Sequence, residues 1–437
     1  MKVLKFGGTS VGSAARMKHV GALLMSQPQP VVVVLSAMSG TTNSLLETAG
    51  FLREGNAAKA VAVVDTLECK YRKETEALLE KTENRHSLWE ALGGMLSELR
   101  SLTLQPWTPL LEKRMVAFGE LLSSRVMTAL LTEQGADVTL MPALAYMRLN
   151  ADSEPDLPLT TSLLTEQMHS VGPHHIVITQ GFICLNAAGE IDNLKRGGSD
   201  YSASVIGACL EAEEIQIWTD IDGMHNNDPR FVPDTQPVPQ LSFGEAAELA
   251  YFGAKILHPT CILPAKTKNI PVRLLNTLDP EAHGTLISND YKKGRIEAVA
   301  AKDGIAAVRI QSDRMLMAYG FLSRVFAVFE KYRTPIDLIT TSEVAVSMSV
   351  DNLGSIGAIV EELRTLGTVS FETGLSIISV VGDLRSDNLG FEGVVVGALR
   401  DIPVRMISYG GSDHNISLLV RTEDKVRALR ALSKAIF

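Results

Sequence analysis

Short apolar runs rich in β-branched residues alternate with helical patterns over the first two-thirds of this chain. The apolar runs, which we predict to be buried strands, lie at residues 3–6, 31–35, 175–179 and 215–219. Patterns with the helical period lie at residues 13–26, 42–53, 57–80, 112–134, 200–211 and 244–257. Strands that are apolar throughout are typical of a mostly parallel sheet covered by helices on both faces, so we predict a three-layer α/β/α domain. Ligands of such sheets bind beyond the carboxyl ends of the strands.

From about residue 304 the pattern changes to an internal repeat. The first copy is predicted as strand 305–311, helix 321–332, strands 336–341 and 345–350, helix 355–366 and strand 368–372. The second is predicted as strand 376–382, helix 389–400, strands 403–408 and 415–420, and helix 424–436. This order describes two ferredoxin-like βαββαβ units, the second without its final strand. We infer that residues 296–303 supply that strand, and we predict domains at 1–295, 304–373 and 374–437.

Length, charge and cysteine usage limit the class of protein. The 437 residues suggest about three domains. The net charge of −9, with no run of Lys or Arg longer than two, argues against nucleic acid or an anionic membrane as the main partner. The longest apolar run is far shorter than the roughly 20 residues that span a bilayer, and the N-terminus lacks the apolar stretch of a signal peptide. The four cysteines and nine histidines show no metal-binding spacing, so we predict reduced thiols, no protein metal site and a cytoplasmic location.

A glycine-rich segment, GGTSVG at residues 7–12, follows Lys5 at the end of the first strand and precedes a helix. Glycines let backbone N–H groups approach an anion, the helix N-terminus adds a favourable dipole, and the lysine adds a full charge. The segment matches neither GxxxxGK[ST] nor GxGxxG. A tight turn beside a solvated lysine explains these residues equally well.

Three further groups of polar residues suggest a binding site. Arg196-Gly-Gly-Ser-Asp200 opens a helix, where the arginine would fit a carboxylate or a phosphate, although simple capping of the helix is the alternative. Glu120 lies in mid-helix among small residues and would suit an ammonium group, but a solvated position is the simpler explanation. Polar residues at 219–230 follow the fourth strand, where α/β folds place nucleotides, and they also fit ordinary turns.

Taken together, six motifs in this order resemble the aspartokinase family, which has the amino-acid-kinase fold. The motifs are KFGGTSV at 5–11, FGE at 118–120, RGGSDY at 196–201, WTDIDG at 218–223, NDPR at 227–230 and FGAKILHP at 252–259. The stretches GFLSRVFAVF and IDLITTSEVAVSMSVD are similar to the first of the paired ACT domains of lysine-sensitive members. The resemblance covers essentially the whole chain.

This resemblance implies an activity and a set of residue roles. A member of the family transfers the γ-phosphoryl group of ATP, with Mg²⁺ carried by the nucleotide, to the β-carboxylate of L-aspartate, in the pathway to lysine, threonine and methionine. The implied catalytic residues are Lys5 and Asp200. The implied aspartate pocket comprises Thr42, Glu120, Phe182, Arg196 and Ser199. The implied ATP site comprises Lys5, Gly7, Gly8, Ser10, Thr219, Asp220, His225, Arg230, Lys255 and Ile256. The implied site for lysine as an inhibitor comprises Met315, Gly320, Leu322, Asp337, Ser342 and Glu343.

The chain departs from the family pattern at a few of these places. His225 stands where the family has Tyr near the adenine, and Lys195 stands where it has Gly. Met317 and Ala318 stand where lysine-sensitive members have His and Ser.

The residue types agree with the implied chemistry. An aspartate side chain is already ionised at pH 7, so the reaction needs positive charges and in-line positioning rather than a base.

Two other interpretations compete with an aspartate kinase. One is another kinase of the same fold, acting on glutamate, acetylglutamate or a nucleotide, and KFGGTSV with the paired repeats argues against it. The other is a non-catalytic amino-acid sensor, which the joint presence of Lys5, Glu120, Arg196 and Asp200 argues against. The open sheet edges of the repeats predict a symmetric homodimer through these units.

Overall fold

The computed structural model describes all residues except 195–196, 254–256, 291–293, 313–318 and 386–388. The elements up to residue 219 are β1 (Lys2–Phe6), α1 (Ala14–Met25), β2 (Val31–Leu35), α2 (Thr41–Arg53), α3 (Ala57–Leu78), α4 (Thr82–Leu102), α5 (Pro109–Glu133), β3 (Val138–Leu140), α6 (Leu157–Val171), β4 (Ile176–Gln180), β5 (Ile183–Leu185), β6 (Ile191–Asn193), α7 (Gly198–Cys209) and β7 (Glu214–Thr219). Those that follow are β8 (Gln240–Ser242), α8 (Phe243–Tyr251), α9 (Leu263–Thr267), β9 (Val272–Asn276), β10 (Thr285–Ser288), β11 (Ile296–Gln311), α10 (Phe321–Lys331), β12 (Ile339–Thr341), β13 (Ala345–Val350), α11 (Ile356–Leu363), β14 (Thr368–Gly382), α12 (Phe391–Ala398), β15 (Val404–Ser408), β16 (Asn415–Arg421) and α13 (Lys425–Ile436).

The chain divides into two compact units. The first comprises Met1–Gly223 and Leu257–Asn289, and the second comprises Met224–Ile256 and Asp290–Phe437.

The first unit is built on a mostly parallel sheet, as predicted. Its strands follow the order β3-β4-β2-β1-β7-β9-β10, and only the β9–β10 pair is antiparallel. Every residue of β2 is buried, because helices cover the central strands on both faces. Residues of α1, α3, α4 and α5 share one hydrophobic core with alternate residues of β1, β2 and β4. Helix α7 packs against β1, β2 and β7.

Among the described residues, α5 is the one helix whose length and composition would suffice to cross a bilayer. However, 72% of its most apolar window is buried inside the protein. This is the environment of a core helix.

The second unit contains one antiparallel sheet with the order β12-β13-β11-β14-β16-β15. The latter half of β11 pairs with β13. Strand β14 pairs with β11 along nearly all of its length on one edge, and its latter half also pairs with β16 on the other edge. The separate strands predicted at 368–372 and 376–382 are therefore wrong, because they form the single strand β14. Gly374 has a positive φ there, and Gly304 has one on the paired strand, so both strands share an irregularity without ending.

The end of one predicted helix is also wrong. Helix α8 stops at Tyr251 rather than continuing to residue 257. Gly253 follows in a turn with a φ of +140°, which suits only glycine, and a Cβ there would lie 2.3 Å from the Ala301 carbonyl oxygen.

Candidate active site

A cavity of about 490 Å³ lies beyond the carboxyl ends of β1, β2 and β4 in the first unit. This is the edge of the sheet at which an α/β fold places its ligands. The residues that line it are Lys5, Gly8, Thr9, Ser36, Ala37, Met38, Ser39, Gly40, Thr42, Asn43, Glu120, Phe182, Gly197, Gly198, Ser199 and Asp200. The cavity thus brings together seven of the predicted site residues, namely Lys5, Gly8, Thr42, Glu120, Phe182, Ser199 and Asp200.

A largely buried ion pair, formed by Lys5 and Asp200, marks one side of the cavity. The Nζ atom of Lys5 lies 2.6 Å from Oδ1 of Asp200, and each side chain is only 12% exposed. Lys5 is the second-last residue of β1 and its side chain reaches α7, whose first turn contains Asp200. The alternative of a solvated lysine is therefore wrong, and the pair fixes a positive charge at a defined place in the cavity.

Two loops meet closely above the sheet. The backbone N–H of Ser39 donates to the carbonyl oxygen of Gly8 over 3.1 Å. A Cβ atom on Gly8 would lie 2.8 Å from the carbonyl oxygen of Ala37, so only glycine allows this approach. The loop after β1 and the loop after β2 consequently form one continuous wall of the cavity.

The helix N-termini that face the cavity are those of α2 and α7. Gly40 and Gly197 precede these helices with positive φ and offer no side-chain cap, so the positive end of each helix dipole faces the cavity. The first N–H of α2, that of Thr41, already donates to the carbonyl oxygen of Met38 over 2.9 Å.

The placement of these dipoles differs from the prediction, which assigned the dipole to the helix after the glycine-rich segment. The N-terminus of that helix, α1, is occupied instead, because Ser13 caps it and Glu74 accepts from the N–H of Ala14 over 2.7 Å.

Glu120 is a buried carboxylate directed into the cavity. It is 3% exposed, so the alternative of a solvated helix position is wrong. Its Oε1 atom accepts from the N–H of Ala37 over 3.1 Å, whereas Oε2 is buried without a hydrogen-bond partner among the described residues. Desolvation raises the pKa of Glu120 to about 7, although the N–H of Ala37 opposes the rise. An unpaired carboxylate oxygen in such a place suits a cationic group of a ligand.

Phe182 is held in a strained backbone conformation at the cavity. Its φ is +66°, which costs a residue with a side chain on the order of 1–3 kcal/mol. The conformation is stabilised by two hydrogen bonds, from the Phe182 N–H to Oγ of Ser202 over 2.8 Å and from the Leu194 N–H to the Phe182 carbonyl over 2.7 Å. Gly198 makes room for the ring, because a Cβ there would lie 2.4 Å from it.

Several predicted ATP-site residues do not line this cavity. Ser10 is buried, and its hydroxyl lies 2.7 Å from that of Thr277. Gly7 donates to the carbonyl of Trp218 over 3.3 Å. Thr219 ends β7 and accepts from the N–H of Thr277 over 2.7 Å. The next residue, Asp220, is exposed.

The remaining predicted nucleotide residues belong to the second unit or lie outside the described residues. The His225 ring lies 3.0 Å from the hydroxyl of Thr235, and the guanidinium of Arg230 forms a two-pronged pair with Asp228 whose shortest contact is 2.6 Å. The predicted site residues Arg196, Lys255, Ile256 and Met315 lie outside the described residues, as do the departures Lys195, Met317 and Ala318.

The predicted regulatory residues lie in the second unit. The side chain of Asp337 is 1% exposed and contacts Nζ of Lys302 at 3.1 Å and the hydroxyl of Tyr251 at 2.6 Å. Its Oδ2 atom has no hydrogen-bond partner among the described residues. Gly320 precedes α10, Leu322 is 37% exposed on that helix, and Ser342 and Glu343 lie just before β13.

Sequence reasoning missed the polar groups that the loop after β2 adds to the cavity, chiefly Ser39 and Asn43. A signal was available, since this loop follows a buried strand and precedes a helix just as the glycine-rich segment does.

A parallel sheet with glycine loops, two helix N-termini without side-chain caps and a largely buried lysine at one edge is the arrangement with which α/β enzymes bind small anions. The model of the Amino acid kinase family accordingly matches residues 1–276, and that of an ACT domain matches residues 378–436. Lysine-sensitive aspartokinase 3 of Escherichia coli is 33% identical, over 100% of this chain and 99% of that protein. Aspartokinase 3 of Arabidopsis thaliana chloroplasts is 36% identical, over 100% of this chain and 81% of that protein.

The solved structures agree with the sequence relatives. E. coli aspartokinase III in complex with aspartate and ADP matches with a TM-score of 0.84, 32% identity and full coverage of both chains. The same enzyme in complex with lysine and aspartate matches with a TM-score of 0.83 and 33% identity, over 100% of this chain and 99% of that one. The chain belongs to the aspartokinase family.

Proposed function

We infer that this protein is an ATP-dependent aspartate kinase. It transfers the γ-phosphoryl group of ATP to the β-carboxylate of L-aspartate and forms 4-phospho-L-aspartate, the first step of lysine, threonine and methionine synthesis by the diaminopimelate route. The observation that carries the proposal is the cavity in which the Lys5–Asp200 pair, two helix N-termini without side-chain caps and the unpaired carboxylate of Glu120 lie together. We also propose that the enzyme works in the cytoplasm.

The aspartate end of the reaction follows from the charges of the cavity. Glu120 would receive the α-ammonium group at its unpaired Oε2, and Arg196, assigned from its motif, would hold the α-carboxylate. Thr42, Phe182 and Ser199 would close the pocket around the substrate. The β-carboxylate is ionised at pH 7 and needs no base, so the protein's work is to place it in line with the γ-phosphorus.

The nucleotide end of the reaction needs cancellation of negative charge. Lys5 would stabilise the charge on the transferring phosphoryl group, and Asp200 would hold that ammonium in place. Of the glycine-rich loop, the N–H of Gly8 would contact the phosphates. The predicted contacts from the N–H groups of Gly7 and Ser10 do not fit this structure, because these groups already donate to the carbonyl oxygens of Trp218 and Gly7. Thr219 and Asp220, at the end of β7, would add further ATP contacts, and the roles of His225, Arg230, Lys255 and Ile256 stay predictions from the motifs.

Magnesium would enter as part of the MgATP substrate. The described residues contain no group of three or more His, Cys, Asp or Glu side chains placed to hold a metal ion. Asp200 would be the carboxylate beside the transferring group.

The test of the proposed function is direct formation of the acyl phosphate. Purified protein with MgATP and L-aspartate should yield a hydroxamate when hydroxylamine is added, and L-glutamate in place of aspartate should yield none. Product with glutamate but not aspartate would indicate another kinase of the fold. No product with any acceptor, together with retained lysine binding, would indicate a sensor.

Regulation by lysine is proposed at the first repeat. Asp337 would bind the effector's ammonium through its unpaired Oδ2, beside Gly320, Leu322, Ser342 and Glu343, with Met315 completing the site. Lysine inhibits if it binds an inactive arrangement more tightly than the active one. Activity should therefore fall in a lysine titration, and Asp337→Asn should raise the required lysine concentration by about tenfold or more. A variant as sensitive as the wild type would remove Asp337 from the site.

We further propose a homodimer through the repeats. All three residues of the edge strand β12 are exposed, and exposed apolar side chains lie on the same repeat, including Tyr319, Leu322 and Ile339. An open edge with apolar neighbours favours pairing with a second copy. Sedimentation at micromolar concentration should give a dimer. A monomer both with and without lysine would contradict the proposal.

A further inference from the structure

Three side chains of α3 contact the loop after β2 and the first residues of α1 and α2, the helices that follow the two loops, although no residue of α3 lines the cavity. Nζ of Lys70 donates to the carbonyl oxygen of Ser39, in the loop after β2. Oε2 of Glu74 accepts from the N–H of Ala14 over 2.7 Å, at the start of α1 and the end of the loop after β1. Between them, the Tyr71 hydroxyl lies 3.4 Å from that of Thr41, the first residue of α2.

The helical period explains why one helix can make all three contacts. Residues four positions apart lie on the same face of a helix, so Lys70 and Glu74 point the same way, with Tyr71 beside them. Tyr71 is fully buried and belongs to the main hydrophobic core, which fixes the height and rotation of α3. The two polar side chains are therefore anchored to a rigid base.

The chemistry of each contact suits a positioning role. The first N–H groups of a helix have no partner within the helix, and a carboxylate is favourable there, so Glu74 holds α1 at its N-terminus. Ser39 lies in a loop, so its carbonyl oxygen accepts no hydrogen bond from the backbone of a helix or a strand among the described residues. Burial lowers the pKa of Lys70, while the nearby Glu74 carboxylate opposes that shift and helps to keep the ammonium charged.

We propose that Lys70 and Glu74 are positioning residues for phosphoryl transfer, which fix the acceptor loop and the phosphate loop relative to each other through α3. This rests on the proposed function, since it assigns the loop after β2 to aspartate and the loop after β1 to ATP. The two loops also touch each other directly, where the Ser39 N–H donates to the carbonyl oxygen of Gly8 and where Ser39 packs closely against Gly12. The brace made by Lys70, Tyr71 and Glu74 adds contacts from α3 to the Ser39 carbonyl and to the first residue of the helix that follows each loop.

The brace makes a specific kinetic prediction for Lys70. Lys70→Met keeps an unbranched side chain, one atom shorter, and removes the donor. It should raise KM for aspartate about tenfold, which corresponds to about 1.4 kcal/mol. KM for ATP should change less than threefold. Lys70→Arg restores a donor of similar reach and should recover most of the affinity for aspartate. Lys73→Met, which removes an exposed lysine of the same helix, is the matched control and should behave as the wild type.

Substitutions of Glu74 should change KM for ATP more than KM for aspartate, the opposite of Lys70→Met. Glu74→Leu removes the acceptor for Ala14 and should raise KM for ATP about tenfold with a smaller effect on aspartate. Glu74→Gln keeps an oxygen acceptor and should lie close to the wild type. A merely structural role for these residues would lower the melting temperature and the active fraction without separating the two KM values.

The outcomes distinguish failure of the brace from failure of the proposed function. If the wild type phosphorylates aspartate and Lys70→Met keeps the wild-type KM for aspartate, the brace is wrong. If Lys73→Met loses as much as Lys70→Met, the brace is equally wrong. If the wild type phosphorylates nothing, the proposed function fails, and calorimetry with MgADP then tests the brace by itself. About tenfold weaker MgADP binding by Glu74→Leu than by the wild type supports the link between Glu74 and the phosphate loop. Unchanged MgADP binding overturns that link.

Discussion

Replacing Glu120 with glutamine tests the electrostatics of the cavity, because the amide has nearly the same shape and can still accept from the N–H of Ala37. The carboxyl is 3% exposed, and its pKa is raised from 4.5 to about 7. Only the ionised form attracts the ammonium of aspartate. The ionised fraction falls from roughly 0.9 at pH 8 to roughly 0.1 at pH 6, so KM for aspartate should rise about tenfold over that range in the wild type.

The glutamine variant should lose both the affinity and the pH dependence. A hydrogen bond to a charged group contributes about 1.5–3 kcal/mol, so KM for aspartate at pH 8 should rise by roughly 10- to 100-fold. Between pH 6 and 8 that KM should stay nearly constant. KM for ATP, measured in the same series, controls for titration of the nucleotide. Parallel pH profiles in the two proteins, or tight aspartate binding by the variant, would refute the reasoning.

The same substitution should stabilise the unliganded protein above neutral pH. Because the pKa of Glu120 is raised on folding, the folded state binds the proton more tightly than the unfolded state does. The cost of the buried charge is therefore fully present above about pH 7 and disappears as the pH falls toward 4.5. The shift corresponds to about 3 kcal/mol, so Glu120→Gln should melt higher than the wild type at pH 8 and at about the same temperature near pH 5. Equal melting temperatures at pH 8 would contradict this explanation.

Two further substitutions test other parts of the cavity. Lys5→Met should lower kcat by about 10²- to 10³-fold, because it removes the fixed charge at the transferring group. Lys2→Met, on the same strand, is the control and should leave kcat unchanged. The hydroxamate assay measures kcat for both variants, and equal values would remove Lys5 from the mechanism. Gly8→Ala should abolish most activity, because its Cβ would lie 2.8 Å from the carbonyl oxygen of Ala37 and force the two loops apart. Gly93→Ala, in mid-helix with open space around the new Cβ, should keep full activity and melt slightly higher; retained activity in Gly8→Ala would show that the loops tolerate separation.

The main strands could be predicted from the sequence because their physics is local. Residues 31–35 are five consecutive apolar residues, which only a strand buried on both faces accommodates easily, and the structure has β2 at those residues. Helix α4 went unpredicted, since Gly93 and Gly94 in its middle weaken the helical pattern. Its stability comes from packing, with Leu92, Leu96 and Leu99 fully buried against neighbouring helices.

Only part of the candidate site was predictable in its members, and its physical state was not predictable. The motifs identified Glu120 and Lys5, yet nothing near Glu120 in the sequence shows that it is buried, because its partner Ala37 is 83 residues away. The Lys70 contact to Ser39 spans 31 residues and has no motif. Tertiary contacts of this kind decide which carboxylate is unpaired and which loop is held, and no local pattern records them.

The continuity of β11 and β14 limits how this protein can be divided or recombined. Each of these strands belongs to both βαββαβ copies, so a gene cut between the copies leaves one half without its central partner. Recombination that transfers a sensor to another enzyme must therefore move the pair together. A fragment that begins at residue 374 would lack Ile296–Asp303 and expose a long apolar strand edge, and we expect it to aggregate rather than fold.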